Sequence, residues 1–200
     1  MAELDRRGHE RLTPVLPLED PAASFEDYAA VVLDCLGGDP ARRVQAQVKL
    51  LVYLYPAMGG LQPLADQPPY QRVGWVRPPT DADGRSWWPH DRAVNQLYGR
   101  LDTELAERLA ARLRPQPQAL YGAPHPPELP SAFLYAREDE LFDDRWSRSI
   151  ATSLLGVEAI ELPGGHFPML EHPPMIADGL EQVSRLSTAA TDEPTAITSA

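Results

Sequence analysis

The sequence predicts an α/β fold in which a small, mostly parallel sheet is flanked by helices. Short apolar segments alternate with amphipathic helical segments in the last third of the chain, as in parallel strands joined by right-handed crossovers. Residues 48–55 are almost continuously apolar, which indicates a strand covered on both faces. The chain of 200 residues is 43% hydrophobic. We therefore expect a single domain with a sizeable core over residues 1–186.

The N-terminal part is predicted to contain two helices and one distorted strand. Residues 2–7 are typical of a helix end, and Gly8 suits the left-handed position that follows one. Residues 11–16 are predicted to form an edge strand, because a proline within them lacks an amide donor. Ser24 and Asp27 form a capping-box pattern, which predicts the start of a second helix.

The middle of the chain is predicted to form a cap-like or lid-like insertion over about residues 56–130. Residues 56–89 are rich in Pro, Gly and Trp and show little periodicity, as lids and binding loops often do. A helix is predicted over residues 91–114, where apolar residues recur at spacings of three and four. Three tryptophans could either line an apolar pocket or fill the core beneath a loop, namely Trp75, Trp87 and Trp88.

The last third predicts two strands, residues 132–136 and 157–162, each followed by a helix. The first of these helices is expected to end at Gly156. The final helix is expected to bury four apolar side chains, those of Met175, Ile176, Leu180 and Val183. Residues 187–200 are small and polar, and we expect them to form a disordered tail.

Composition excludes several classes of function. The net charge of −11 argues against nucleic acid and against an anionic membrane surface, because both require clustered cations. No secretory signal or spanning segment is evident, and the single cysteine, Cys35, favours a reducing compartment. We therefore expect a cytoplasmic protein. The histidines lack metal-ligand spacing and the nucleotide-binding glycine motifs are absent, so we expect neither metal nor cofactor.

Two side chains are the candidates for catalysis. His166 follows a predicted strand and a Gly-Gly turn, a common setting for a histidine that acts as a general base. Asp139 lies just beyond another strand and would accept a hydrogen bond from the imidazole, which fixes its tautomer. The alternative for His166 is a turn histidine that is hydrogen-bonded to a backbone carbonyl. The alternative for Asp139 is a place in a solvated acidic turn. Glu138 is the fallback for the acid.

These segments resemble the C-terminal part of an α/β-hydrolase, in the esterase-like branch that also contains lipases and relatives of hydroxynitrile lyases. Residues 133–139 resemble the strand and turn that bear the family's triad acid, and residues 164–173 resemble the turn that bears its triad histidine. Residues 7–17 and 24–28 resemble earlier helices and a strand of the same fold. The resemblance implies a hydrolase of small apolar carboxylic esters or related carbonyl compounds, with Asp139 and His166 in the triad.

The sequence departs from that family at the nucleophile. It contains no Gly-x-Ser-x-Gly, the strand-to-helix turn that exposes the nucleophilic serine. We therefore expect a truncated α/β-hydrolase-like fold with a degenerate triad. Cys35 is a weak candidate because it lies on the apolar stripe of its helix and is expected to be a buried thiol. Ser86 is equally weak, since it lies in a lid-like segment without a strand.

The functional alternatives follow from that missing turn. One is a hydrolase acting on a small ester, and another is a non-catalytic relative that binds a small molecule or a partner chain. A third is an incomplete gene product whose missing half is encoded nearby. Without the segment that would carry the nucleophile turn, the strand at 11–16 would pair directly with the strand at 48–55 and leave an open sheet edge. Another chain or a helix could cover that edge, and a homo-oligomer could form through it; the sequence leaves the oligomeric state open.

Overall fold

The structure is a computed structural model that describes residues 2–18, 20, 22–35, 50–54, 78–117 and 129–191. The elements in chain order are α1 (Ala2–Arg6), α2 (Phe25–Cys35), β1 (Leu51–Leu54), β2 (Arg85–Ser86), α3 (His90–Arg92), a π-helical turn (Ala93–Leu97), α4 (Thr103–Ala110), β3 (Gln116–Pro117), β4 (Ser131–Ala136), α5 (Asp144–Leu155), β5 (Ala159–Leu162), α6 (Pro168–Glu171) and α7 (Pro173–Thr191).

The main sheet has three parallel strands in the order β1-β4-β5. Tyr53 of β1 stands opposite Phe133 of β4, and Leu134 of β4 stands opposite Ile160 of β5. The central strand β4 is buried along nearly its whole length, which accounts for its apolar sequence. The strands predicted from the apolar segments at 48–55, 132–136 and 157–162 are thus present. The last is shorter than predicted, and residues 48, 49 and 55 of the first prediction lie outside the described residues.

Helices cover both faces of this sheet. Phe133 and Tyr135 lie on one face and pack against α5, whereas Ala132 and Leu134 lie on the other and pack against α7. This division follows from the two-residue period of a strand, which sends alternate side chains to opposite faces. Phe133 and Leu134 are fully buried, and burial of each side chain contributes roughly 1.5–3 kcal/mol.

Helix α5 ends where the sequence predicted. It ends at Gly156, whose φ of 65° lies in the left-handed region that favours glycine. Helix α7 buries Ile176 and Val183, but Met175 is 45% exposed, so its predicted burial is wrong. Successive helical residues lie about 100° apart, so Met175 points away from the face that Ile176 turns to the sheet. Helix α7 extends to Thr191, and residues 192–200 lie outside the described residues.

The region between β1 and β4 contains an antiparallel ribbon, β2–β3, and short helices. The continuous helix predicted over residues 91–114 is wrong, because the chain turns between the π-helical turn and α4. A Cβ atom at Gly99 would clash with the carbonyl oxygen of Asn95, so this turn requires glycine. Asp102 then caps α4 by accepting a hydrogen bond from the amide of Leu105 at 3.2 Å.

The tryptophans of this region differ in their surroundings. Trp88 packs against the core of the short helices, and the Arg92 guanidinium lies 5.5 Å from its ring centre. Trp87 is 40% exposed, and Trp75 lies outside the described residues. Trp88 therefore fills the core beneath the loop, which was one of the two alternatives.

The predicted strand at residues 11–16 is wrong, because this segment has no regular secondary structure. Its one proline, Pro14, lacks an amide donor, and Leu12 and Val15 are 52% and 76% exposed. Within the described ranges, no strand pairs with the outer edge of β1. Helix α1 ends as predicted, with Gly8 at a φ of 81°.

Helix α2 begins with the predicted capping box. The Ser24 amide donates to Asp27 Oδ2 at 2.7 Å, and the Asp27 amide donates to Ser24 Oγ at 3.3 Å. The expected burial of Cys35 is wrong, because this thiol is exposed at the end of the helix. Val32 on the same stripe is also exposed, at 42%. Within the described ranges, no helix combines the length and apolarity that crossing a membrane requires.

Candidate active site

Two turns run side by side beyond the carboxyl ends of β4 and β5. The Arg137 amide donates to the carbonyl of Leu162 at 3.0 Å, and the Glu138 amide donates to the carbonyl of Gly164 at 3.1 Å. Parallel neighbouring strands end at the same edge of a sheet, and side chains placed just after them meet there. The sheet therefore brings together the turn that carries Asp139 and the turn that carries His166.

Asp139 is a buried hydrogen-bond acceptor with three donors. It is 2% exposed, and its Oδ1 accepts from the amides of Leu141 at 2.7 Å and Phe142 at 3.0 Å. Its Oδ2 lies 2.9 Å from Nδ1 of His166. These contacts exclude the solvated acidic turn that was the alternative for Asp139.

The imidazole of His166 is held in one orientation by its neighbours. Its ring centre lies 5.3 Å from that of Phe142, and 4.8 Å from that of Phe167 in an edge-on contact. A carboxylate only accepts hydrogen bonds, so in this pair Nδ1 carries a hydrogen, and in the neutral form of the ring the lone pair lies on Nε2. The side chain is 16% exposed, so it remains within reach of a small molecule.

The histidine turn depends on its first glycine. Gly164 has a φ of 101°, and a Cβ atom there would lie 3.1 Å from Cδ2 of His172. Pro168 begins α6 two residues after His166, where the fixed φ of proline suits the first helical position. The chain therefore leaves β5, turns sharply and presents His166 before a new helix, as the sequence predicted.

Arg100 is a further charged residue of this site, and the sequence did not single it out. Its guanidinium donates to Glu138 at 2.6 Å, to Glu140 at 3.3 Å and to Glu171 at 2.9 Å. Glu138 therefore pairs with Arg100, and the acid beside His166 is Asp139. One signal was present: Gly99 interrupts the leucine pattern, and such an interruption can mark a turn.

A shallow cleft, open to solvent and with a cavity volume of only about 10 Å³, lies beside His166. Its lining combines apolar side chains with charged ones: Leu97, Tyr98, Arg100, Leu101, Glu140, His166, Phe167 and Glu171. Burial raises the pKa of Tyr98, so its hydroxyl stays protonated at neutral pH. Among the described residues that line this cleft there is no serine, threonine or cysteine.

Neither sequence candidate for a nucleophile lies in this cleft. The expectation that Ser86 lies in a segment without a strand is wrong, because it belongs to β2 and pairs with Gln116 of β3; its side chain is 7% exposed. Cys35 lies at the end of α2. Across the ranges that the structure describes, no group of three or more His, Cys, Asp or Glu side chains could hold a metal ion.

Comparison with solved structures finds proteins of similar fold, among them a plant methylesterase. The crystal structure of a methylesterase from Arabidopsis matches with a TM-score of 0.57 over 80% of this chain and 78% of that chain, at 15% sequence identity. No family model matches the sequence, and no curated protein matches it. A match at this identity concerns the fold alone. The predicted fold class is confirmed: the chain has an α/β-hydrolase-like fold, with a mostly parallel sheet flanked by helices.

Proposed function

We propose that this protein hydrolyses small carboxylic esters, with His166 as the general base and Asp139 as the residue that orients it. The observation that carries the proposal is the 2.9 Å hydrogen bond between Nδ1 of His166 and the buried carboxylate of Asp139. A carboxylate in this position fixes the imidazole tautomer and stabilises the imidazolium that forms during proton transfer. General-base catalysis of this kind contributes roughly 10²–10⁴-fold to a rate.

Water is the nucleophile in this proposal, because the described cleft residues include no serine, threonine or cysteine. Nε2 of His166 takes a proton from water while the water oxygen bonds to the acyl carbon of the ester. The bond from the acyl carbon to the alkoxy oxygen then breaks, and the imidazolium returns the proton to that oxygen. The products are a carboxylic acid and an alcohol.

The chemistry of the cleft lining indicates which esters would bind beside His166. Leu97, Leu101 and Phe167 supply apolar surface, whereas Glu140 and Glu171 would repel an anionic substrate. A short, uncharged ester suits this combination. The Arabidopsis protein of similar fold is described as a methylesterase, which supports the same substrate class.

The test is hydrolysis of short activated esters by the full chain and by His166→Ala. We expect kcat/KM to fall by at least about 100-fold in the variant. His90→Ala is the matched control, because His90 is also hydrogen-bonded to a carboxylate, Glu107 at 2.6 Å, but does not line the cleft. Equal activity of His166→Ala and the parent would overturn the proposal.

A fluorophosphonate that labels serine nucleophiles tests the identity of the nucleophile. Attack by water predicts hydrolysis without covalent labelling of the protein. Labelling that disappears in His166→Ala would instead assign the attack to a serine of this chain and retain His166 as the base.

A second candidate function is binding of a small apolar molecule without catalysis. The absence of a serine, threonine or cysteine among the described cleft residues is the observation that favours it. It predicts no ester hydrolysis. It also predicts that a short ester shifts the imidazole NMR signals of His166 in a saturable manner.

A further inference from the structure

We infer that Arg100 is a positioning residue, which holds the turn of His166 against the turn of Asp139. The inference rests on the proposed function for its catalytic meaning. Arg100 lies between the π-helical turn and α4, 66 residues before His166 in sequence. Its guanidinium nevertheless reaches both turns.

The contacts of Arg100 span the two turns. Glu138 and Glu140, the residues on either side of Asp139, accept from its two terminal nitrogens at 2.6 Å and 3.3 Å. Glu171, which follows the histidine turn, accepts from its Nε at 2.9 Å. The guanidinium is a rigid fork of donors, so these bonds fix the three carboxylates relative to one another.

Glu171 transmits this restraint to the backbone beside the histidine. Its second oxygen accepts from the amide of Gly165, the residue before His166, at 2.8 Å. Its side chain is 10% exposed, so its bonds are shielded from water better than those of the other two glutamates. The path from Arg100 through Glu171 to Gly165 thus ends one residue from the catalytic imidazole.

The positive charge of Arg100 also stabilises the arrangement of the two turns. Three glutamates meet at this site in a chain whose net charge is −11. Without the guanidinium these carboxylates would repel one another. Glu138 and Glu140 lie on the turn of Asp139, whereas Glu171 follows the turn of His166, so the repulsion would act between the two turns. Removing Arg100 should therefore separate the turns and weaken the bond between Asp139 and His166.

The test compares Arg100→Met, which keeps an apolar stem, with Arg100→Lys, which keeps the charge without the fork. The readout is the tautomer of His166 at mildly alkaline pH, taken from the imidazole nitrogen shifts in long-range ¹H–¹⁵N spectra. The parent is expected to show the Nδ1–H tautomer. Arg100→Met is expected to show a mixture with the Nε2–H tautomer and a loss of up to about 100-fold in kcat/KM. Arg100→Lys should recover part of both.

The matched control is Arg85→Met, which removes an arginine bonded to two carboxylates, Asp81 and Asp83, each at 2.9 Å. It should leave the tautomer of His166 unchanged. If Arg100→Met does not fold, Glu171→Gln replaces it, since glutamine can still accept from Gly165 but lacks the charge that Arg100 binds. A smaller shift toward the Nε2–H tautomer is then expected.

The outcomes separate the two proposals. If the parent lacks the Nδ1–H tautomer, the pairing of Asp139 with His166 fails, and the proposed function and this inference fail with it. If the parent has that tautomer and the folded Arg100 or Glu171 variant keeps it unchanged, only the role of Arg100 is overturned. If the tautomer shifts as expected but the parent hydrolyses no ester, Arg100 still positions the histidine and the proposed activity fails.

Discussion

Gly165 lies directly against the side chain of Arg100. A Cβ atom at residue 165 would lie 2.8 Å from Nε of Arg100 and 3.0 Å from Oε2 of Glu140. Gly165 is not among the glycines with positive φ, in contrast to its neighbour Gly164. Glycine is therefore required at 165 for steric reasons, because Arg100 packs closely on the turn of His166.

Gly165→Ala should destabilise the protein by roughly 1–3 kcal/mol, because a methyl group forced into a packed site displaces its neighbours. Urea unfolding measures this change in free energy. Gly179→Ala is the matched control: its Cβ atom would lie 3.4 Å from the nearest side-chain atom, an ordinary contact, inside α7. There alanine should be neutral or stabilise the protein by up to about 1 kcal/mol.

The same substitution tests the contact with Arg100. In an Arg100→Ala background, Gly165→Ala should lower the free energy of unfolding by less than it does in the parent. The coupling free energy between the two positions should be about 0.5–3 kcal/mol. Additive effects of the two substitutions would contradict the contact.

The sequence predicted the parts of this structure that depend on local patterns. The run around β4 predicted a buried parallel strand, and the Gly164-Gly165 turn predicted where His166 would stand. Both depend on residues close together in sequence. The position of Asp139 beside His166 followed because parallel strands end at the same edge of the sheet.

The sequence failed where the outcome depends on distant contacts. Cys35 lies on an apolar stripe, but whether a side chain of a stripe is buried depends on what packs against it, and Cys35 is exposed. The strand at residues 11–16 would have needed a neighbouring strand to satisfy its backbone. Arg100 joins turns that lie 38 and 71 residues away, and no local pattern contains that information.

Asp143→Ala should cost about 1 kcal/mol of stability at neutral pH, because Asp143 is the N-cap of α5 and accepts from the amide of Arg145 at 2.9 Å. Hydrogen bonding from the Arg145 side chain also holds the pKa of Asp143 below its ordinary value. The pKa of Asp143 is lower in the folded protein than in the unfolded chain, where the pKa of aspartate is near 3.9. The ionised carboxylate therefore stabilises the protein at pH values above about 3.9, and this stabilisation is lost as the pH falls through the folded-state pKa.

Urea unfolding between about pH 3 and pH 7 measures this dependence, and the difference in free energy of unfolding between parent and Asp143→Ala should become smaller toward the acidic end. Asp143→Asn is the control, because asparagine keeps the capping acceptor and lacks the titrating charge. It should be nearly as stable as the parent at low pH. If the free energy of unfolding changes with pH identically in the parent and in Asp143→Asn, titration of the Asp143 carboxylate does not contribute to the pH dependence of stability.

Cys35 should react with a thiol-specific reagent in the native protein, because its side chain is exposed at the end of α2. The measurement is the release of the coloured thiolate from a disulfide reagent without denaturant. Cys35→Ser should release none, since the chain has no other cysteine. Reaction only after unfolding would mean that the thiol is covered, as the apolar stripe of α2 had indicated.

Asp139→Asn should abolish most of the activity while preserving the fold. The amide oxygen of asparagine can still accept from the backbone of Leu141 and Phe142, which donate to Asp139 at 2.7 Å and 3.0 Å. Its NH₂ group would then face Nδ1 of His166, which must accept, so the imidazole hydrogen moves to Nε2. A base protonated at its reacting nitrogen cannot take a proton, and the equivalent change in a serine-protease triad lowers kcat by about 10⁴-fold.

Ester hydrolysis and the nitrogen shifts of His166 measure the two consequences of Asp139→Asn independently. Asp143→Asn is the control, because it makes the same chemical change four residues away, at a side chain bonded to Arg145 rather than to His166. It should keep both the activity and the Nδ1–H tautomer. Since the tautomer is set by whichever group faces Nδ1, persistence of the Nδ1–H form in Asp139→Asn would mean that another acceptor holds the imidazole, and the role of Asp139 would pass to that acceptor.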